Sequence, residues 1–119
     1  MMSLRPFILI VDDQRSQVRL LEKVLQNQGI EVITAYDGVE GLRKTREEIP
    51  DLVVLDIIMP GLDGLNTLKL LRQSCNMPVI MLTTESEKET VCEALGLGAD
   101  DYVVKPFHAR QLLARIRGF

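Results

Sequence analysis

The groups in this chain best suited to chemistry are carboxylates, a hydroxyl and an ammonium that each directly follow a short apolar run. Asp12 and Asp13 follow Phe7-Ile8-Leu9-Ile10-Val11, and Asp56 follows Leu52-Val53-Val54-Leu55. Thr83 and Thr84 follow Val79-Ile80-Met81-Leu82, and Lys105 follows Tyr102-Val103-Val104. Neighbouring strands lie under about 5 Å apart, so Asp12, Asp13 and Asp56 crowd into one pocket if the first and third runs pair. Two carboxylates about 4 Å apart repel by roughly 4 kcal/mol at an effective dielectric of 20, so such a pocket needs a proton or a cation. An oxygen-only site suits magnesium, which takes one or two carboxylates, several waters and a phosphate oxygen. A carboxylate nucleophile, magnesium, the fixed charge of Lys105 and the hydroxyl of Thr83 are the parts that phosphoryl transfer uses, because that chemistry is mostly positioning and charge neutralisation.

Taken singly, most of these residues have plainer readings. An Asp after a strand commonly caps the next helix, and Asp12-Asp13 fits that role. Thr83 fits a strand-end hydroxyl and Lys105 a solvated surface lysine. Asp56 differs, because a carboxylate between Leu55 and Ile57-Ile58-Met59 is costly unless it is paired or used. The coincidence of all of them at one edge of a sheet is what favours the joint reading.

The elements that position them follow from hydrophobic periodicity. The apolar runs, with Val32-Ile33 as the second of five, are short and rich in β-branched residues, as strands covered on both faces are. Between them the period is helical: Val18, Leu21, Val24 and Leu25, with Gly29 as a C-terminal stop; Val39 and Leu42, ended by Pro50; Leu65, Leu68 and Leu71, starting at Asp63. A short fourth helix from about Ser86 to Leu95 carries Val91, Ala94 and Leu95, and Thr84-x-x-Glu87 and Ser86-x-x-Glu89 are candidate capping boxes. Leu112, Leu113 and Ile116 mark the fifth. Alternation of five strands with five helices predicts an α/β doubly wound parallel sheet with right-handed crossovers. Ligands bind such sheets beyond the carboxyl ends of the strands, where these polar residues lie.

Composition narrows the function. The chain has 119 residues, enough for one domain with its own core. With 14 Lys+Arg against 17 Asp+Glu the net charge is −3, which offers no footprint for a nucleic-acid backbone. No apolar run is long enough for a membrane span. Cys75, Cys92 and His108 lie too far apart in sequence for a zinc or disulfide pattern, so a reduced, cytoplasmic setting is expected.

With these motifs the sequence resembles the receiver domain of bacterial two-component response regulators, over essentially the whole chain from Ile8 to Ile116. The resemblance rests on Ile8-Leu9-Ile10-Val11-Asp12-Asp13, Asp56-Ile57-Ile58-Met59-Pro60-Gly61-Leu62-Asp63-Gly64, Val79-Ile80-Met81-Leu82-Thr83 and Gly98-Ala99-Asp100-Asp101-Tyr102-Val103-Val104-Lys105-Pro106-Phe107, in order and at receiver spacing. It implies a flavodoxin-like strand order of 2-1-3-4-5. It implies that Asp56 accepts a phosphoryl group from a histidine kinase or phosphotransfer protein, and that Mg2+ is held by Asp13, Asp56 and the Ile58 backbone carbonyl, with Asp12 acting through water. Thr83 and Lys105 match the residues that grip the phosphoryl oxygens, Thr83 and Tyr102 the switch pair, and Lys105-Pro106 a cis bond. Residues 1–119 then form one regulatory domain, the N-terminal part of a longer protein with a C-terminal output domain. Such a domain is not an enzyme beyond its own phosphorylation and dephosphorylation, and it contacts neither nucleic acid nor membrane.

In the winged-helix transcription-factor class of such proteins, phosphorylation drives homodimerisation through the fourth helix, fifth strand and fifth helix. Asp100, Asp101, Arg115 and Arg117 fit that face, while Val91 and Gln111 stand where a Lys–Glu pair is common. The bulky Ile58, two residues beyond the phosphoacceptor, and Glu85, two beyond Thr83, border the path of hydrolytic water. Three alternatives fit the residues less well. A haloacid-dehalogenase-type phosphatase would need its nucleophile after the first strand, in an Asp-x-Asp pattern that Asp12-Asp13-Gln14 does not supply. A nucleotide or flavin binder would need a Gly- or Thr-rich first loop. A degenerate receiver, acting only as an interaction module, would not require Asp13, Asp56, Thr83 and Lys105 together.

Overall fold

A computed structural model describes residues 6–84 and 88–119, with Lys88 described by its backbone alone. Among the described residues the order is β1 (Phe7–Val11), α1 (Arg15–Asn27), β2 (Glu31–Ala35), α2 (Gly38–Glu48), β3 (Leu52–Asp56), α3 (Gly64–Arg72), β4 (Val79–Thr84), α4 (Lys88–Gly96), β5 (Asp101–Lys105) and α5 (Ala109–Arg117). The strands form one parallel sheet in the order β2-β1-β3-β4-β5, as the resemblance implies. This is the flavodoxin-like doubly wound arrangement.

Strand alternation divides the core in two. Ile8, Ile10, Val32, Leu52, Val54, Ile80, Leu82 and Val103 face α1 and α5, where they meet Val18, Leu21, Leu25, Leu112 and Ile116. Leu9, Val11, Val53, Leu55, Val79 and Met81 face the other way, toward Leu68, Leu71, Val91 and Ala94. β3 is buried at every position, which is why its sequence is a continuous apolar run rather than an alternating one.

Several helix ends match the sequence reading. Asp63 caps α3 by accepting from the Asn66 N–H at 2.8 Å. Gly29 follows α1 with φ +79°, a conformation that glycine adopts without strain. Two expectations need correction. Val39 is 66% exposed, and α2 instead buries Gly38, Gly41 and Thr45, with Leu42 packed on the core as expected. The added Cβ of any larger residue at Gly41 would press on the Val11 side chain at 2.8 Å, so this helix approaches the sheet through its smallest residues. Leu95 is 43% exposed, and Leu97 just beyond α4 packs on the core in its place. α2 stops just before Pro50, as expected: its last residue is Glu48 and its C-cap Ile49 lies in the left-handed region at φ +49°. The proposed capping boxes of α4 involve Ser86 and Glu87, which lie outside the described residues, as does Glu85.

Candidate functional site

Three strand ends converge because of the pairing register. Val11 stands opposite Leu55, so Asp12 and Asp56 are the next pair along β1 and β3. Thr84 stands opposite Lys105 across β4 and β5. Alternation continued from the core puts Asp12, Asp56 and Lys105 on the side that faces α1 and α5, and Thr83 on the other.

Lys105 ties the two carboxylates together. Its Nζ lies 3.2 Å from Asp12 Oδ2 and 3.2 Å from Asp56 Oδ2. Asp12 is fully buried and Asp56 is 6% exposed, so both charges are largely withdrawn from water. Asp12 uses its second oxygen to accept from the Gln14 N–H at 3.0 Å, closing the turn that leads into α1. It does not cap that helix: the N-cap is Gln14, which makes no side-chain bond. Asp13 is exposed at the mouth. One oxygen from each of Asp12, Asp13 and Asp56 can be chosen so that all three lie within 4.8 Å of one another.

The crowding shows in the titration of Asp56, whose pKa is pushed from 3.8 up to about 7. Burial is the largest cause and the neighbouring Asp12 charge the next, with Lys105 pulling the other way. One lysine is not enough to balance the cluster. A further cation would relieve it, and the donor set of hard carboxylate oxygens with an open, hydrated side at Asp13 fits a magnesium ion.

The surrounding loops are shaped to hold Asp56 in place. The Gly64 N–H donates to the Ile57 carbonyl at 2.8 Å, folding the β3–α3 loop back onto the end of β3. A Cβ at Gly64 would sit 2.1 Å from the Asp56 carbonyl oxygen and 2.6 Å from Ile57 Cα. Only glycine permits this approach. The Lys105–Pro106 peptide is cis, as the resemblance implies. A cleft of about 670 Å³ opens beside Lys105, between the first turns of α1 and the entry to α5 at Phe107.

The other residues singled out in the sequence are placed as follows. Thr83 is buried at the end of β4, and its hydroxyl donates to the Thr84 carbonyl at 3.2 Å. Tyr102 lies on the edge strand and is 40% exposed. Ile58 projects to solvent two residues past Asp56, at 58% exposure. Of the four charged residues assigned to a dimer face, Asp101 and Arg115 meet each other at 3.2 Å within the chain. Asp100 instead pairs with Arg72 at 2.9 Å, and Arg117 donates to Gln28 Oε1 at 3.0 Å. Val91 is buried against the core.

Two features escaped the sequence reading. Arg72 binds the carbonyls of Met77 and Gly98 as well as Asp100, and so ties the loops entering β4 and β5. Arg15 lies over the Tyr36 ring, 4.0 Å from its centre. No sequence period links partners 21 or 28 residues apart, so neither pair had a local signal.

Comparison with known proteins agrees with this geometry. The model of the family described as response regulator receiver domain matches residues 8–117. The alkaline phosphatase synthesis transcriptional regulatory protein PhoP of Bacillus subtilis is 49% identical over 111 residues, which cover 92% of this chain and 46% of that protein. The DNA-binding response regulator MtrA of Mycobacterium tuberculosis is 39% identical over 115 residues, covering 97% of this chain and 50% of its own. The chain thus spans about half the length of these relatives. Among solved structures, the chemotaxis protein CheY4 of Vibrio cholerae superposes with a TM-score of 0.90 at 34% identity, over 96% of this chain and 98% of that one. The receiver domain of the Francisella response regulator 1452 gives 0.89 at 36% identity, over 95% and 94%.

Proposed function

This chain belongs to the response regulator receiver domain family, the phosphoacceptor switches of two-component signalling, and we propose that Asp56 is its phosphoacceptor. The observation that carries the assignment is the shared grip of Lys105 on Asp12 and Asp56 at 3.2 Å, at the carboxyl edge of a doubly wound sheet. Asp56 attacks the phosphorus of a phosphohistidine on a sensor kinase or phosphotransfer protein. The new bond joins Asp56 oxygen to phosphorus, the bond from phosphorus to the histidine nitrogen breaks, and the nitrogen leaves as neutral imidazole once protonated.

Each neighbour has a role set by its charge and place. Lys105 holds the nucleophile in position and then balances the added phosphoryl charge. Asp13 and Asp56, with the Ile58 backbone carbonyl, would hold Mg2+, with Asp12 acting through a water; such an ion would supply charge neutralisation for the transferring oxygens. Asp12 also anchors the turn into α1. The Thr83 hydroxyl, now spent on a neighbouring backbone carbonyl, turns to a phosphoryl oxygen, and the ring of the half-exposed Tyr102 moves into the space it leaves. Phosphate binding prefers one of two packings, which is all that a switch requires.

The output surface is the face of α4, β5 and α5. In relatives named as transcriptional regulators the matched segment is about half of the protein, which supports a longer parent with a DNA-binding output region; we infer that its phosphorylation-dependent dimer forms through this face. Asp101 and Arg115, already paired within the chain, are the charges best placed to exchange partners across such a dimer. The domain itself catalyses only its own phosphorylation and dephosphorylation.

Beryllofluoride, a phosphoryl mimic, tests the assignment by NMR. Addition with magnesium should shift the amides of Asp56, Thr83, Tyr102 and Lys105 together, and Asp56→Asn should show none of these shifts. No shift in the wild type beyond those caused by magnesium alone would favour a degenerate receiver.

A further inference from the structure

Arg15 occupies an unusual place for a cation. It is the first residue of α1, where the helix dipole already concentrates positive potential, and no acidic residue stands in that turn. It lies next to Gln14, whose N–H is bound to Asp12. Its side chain lies over Tyr36, the residue directly after β2. β2 is in register with β1, Val11 opposite Ala35, and the Asp12 N–H donates to the Ala35 carbonyl at 3.1 Å. Tyr36 therefore flanks Asp12 on the side away from Asp56, and it packs on the same core cluster that runs up to Asp12.

A ring fixes a guanidinium without neutralising it. Bound to a carboxylate, Arg15 would add nothing to the field at the mouth of the site. Bound to an aromatic face, it keeps its full charge while its position is restricted. Among the described residues Arg15 makes no ion pair within 4 Å. We propose that Arg15, held by Tyr36, is a positioning residue that steers dianionic phosphoryl donors into the acidic pocket and weakens the pocket's hold on its divalent cation. The proposal rests on the function assigned above and adds a residue to it. The cluster of Asp12, Asp13 and Asp56 repels a phosphoryl donor, and a cation held beside Asp12 that no carboxylate pairs with offsets this.

A charge about 10 Å from a dianion in water changes its local concentration by about four-fold at low salt, and by less than two-fold above about 0.2 M. The test measures two quantities on Arg15→Gln, Arg15→Lys and Tyr36→Leu, each first checked for wild-type circular dichroism. The first is the rate constant for phosphorylation by subsaturating acetyl phosphate, followed by intact mass, at low and high ionic strength. The second is the magnesium dissociation constant, from NMR titration without any phosphodonor. Arg15→Gln should slow phosphorylation by about four-fold at low salt and little at high salt, while tightening magnesium binding by a similar factor. Arg15→Lys should restore both, and Tyr36→Leu should fall between.

The opposite movement of the two readouts is the signature. A variant that merely loosens the site would weaken both. Loss of both in Arg15→Gln, or no change in either, would overturn the proposal. Wild type that takes no phosphoryl group would overturn the function assigned to Asp56, while the magnesium measurement would still decide whether Arg15 acts on the pocket.

Discussion

Asp56→Asn should make the metal-free protein more stable at pH 8, although it removes the residue on which function depends. At 4.8 Å, the outer limit of their separation, each pair of carboxylates in the cluster repels by about 3.5 kcal/mol at an effective dielectric of 20. Asp56 thus meets about 3.5 kcal/mol of repulsion from Asp12, which offsets most of the about 5 kcal/mol of attraction to Lys105 at 3.2 Å. Burial, the largest cause, tips the balance, and the carboxyl's pKa is pushed from 3.8 up to about 7. Between those values the folded protein holds a proton that the unfolded chain has released, so stability from this group is complete below about pH 4 and is lost as the pH rises through about 7. The full shift corresponds to about 4 kcal/mol, reduced toward 2 by water at the open rim. Asn has nearly the same shape and no charge, so it escapes the penalty. Thermal unfolding followed by circular dichroism, in EDTA, should show Asp56→Asn melting about 8–16 °C above wild type at pH 8. At pH 4 the gap should shrink to about 1 kcal/mol or less. Millimolar magnesium at pH 8 should also narrow it, by stabilising wild type alone. Equal melting temperatures at pH 8, or a gap that persists at pH 4, would refute the charge-crowding argument.

Other consequences are simpler. Gly64→Ala should cost about 2–3 kcal/mol in urea unfolding, since its Cβ would overlap the Asp56 carbonyl oxygen 2.1 Å away and backbone must move; a loss below 0.5 kcal/mol would mean that the loop yields freely. Ile58→Asn should speed loss of the phosphoryl group about five-fold, the worth of one hydrogen bond to an attacking water; an unchanged half-life by intact mass would show that this exposed side chain does not shield the site. Gel filtration should show a monomer that becomes a dimer with beryllofluoride and magnesium, and Arg115→Ala should reduce that shift; a monomer under both conditions would count against the dimer.

What could be read from the sequence was what repeats locally. Continuous apolar runs marked β3 and β4 because both faces of those strands are covered, and the polar residue after each run marked the carboxyl edge of the sheet. That was enough to bring Asp12, Asp13, Asp56 and Lys105 together. Strand order was not in the periodicity, which reads the same for any permutation of five similar strands; it came from the family resemblance. Val39 and Leu95 failed for a related reason. A helical stripe of apolar residues assumes that bulk meets the core, yet α2 lies so close to the sheet that Gly41 meets Val11, and of the two apolar residues only Leu42 packs on the core while Val39 is left outside. The partners of Arg15, Arg72, Asp100 and Arg117 depend on which loops the fold brings side by side, and no spacing along the chain encodes them. Asp100 and Asp101 are adjacent in sequence and point to different partners, Arg72 and Arg115.

The proposed function requires Asp56 to accept a phosphoryl group in a magnesium-dependent reaction. The most direct measurement is intact mass after incubation with acetyl phosphate and magnesium, for wild type and Asp56→Asn. One added phosphoryl group on wild type, absent with EDTA and absent from the variant, is the predicted result. Wild type that binds magnesium but gains no mass, or a variant that gains it equally, would contradict the account.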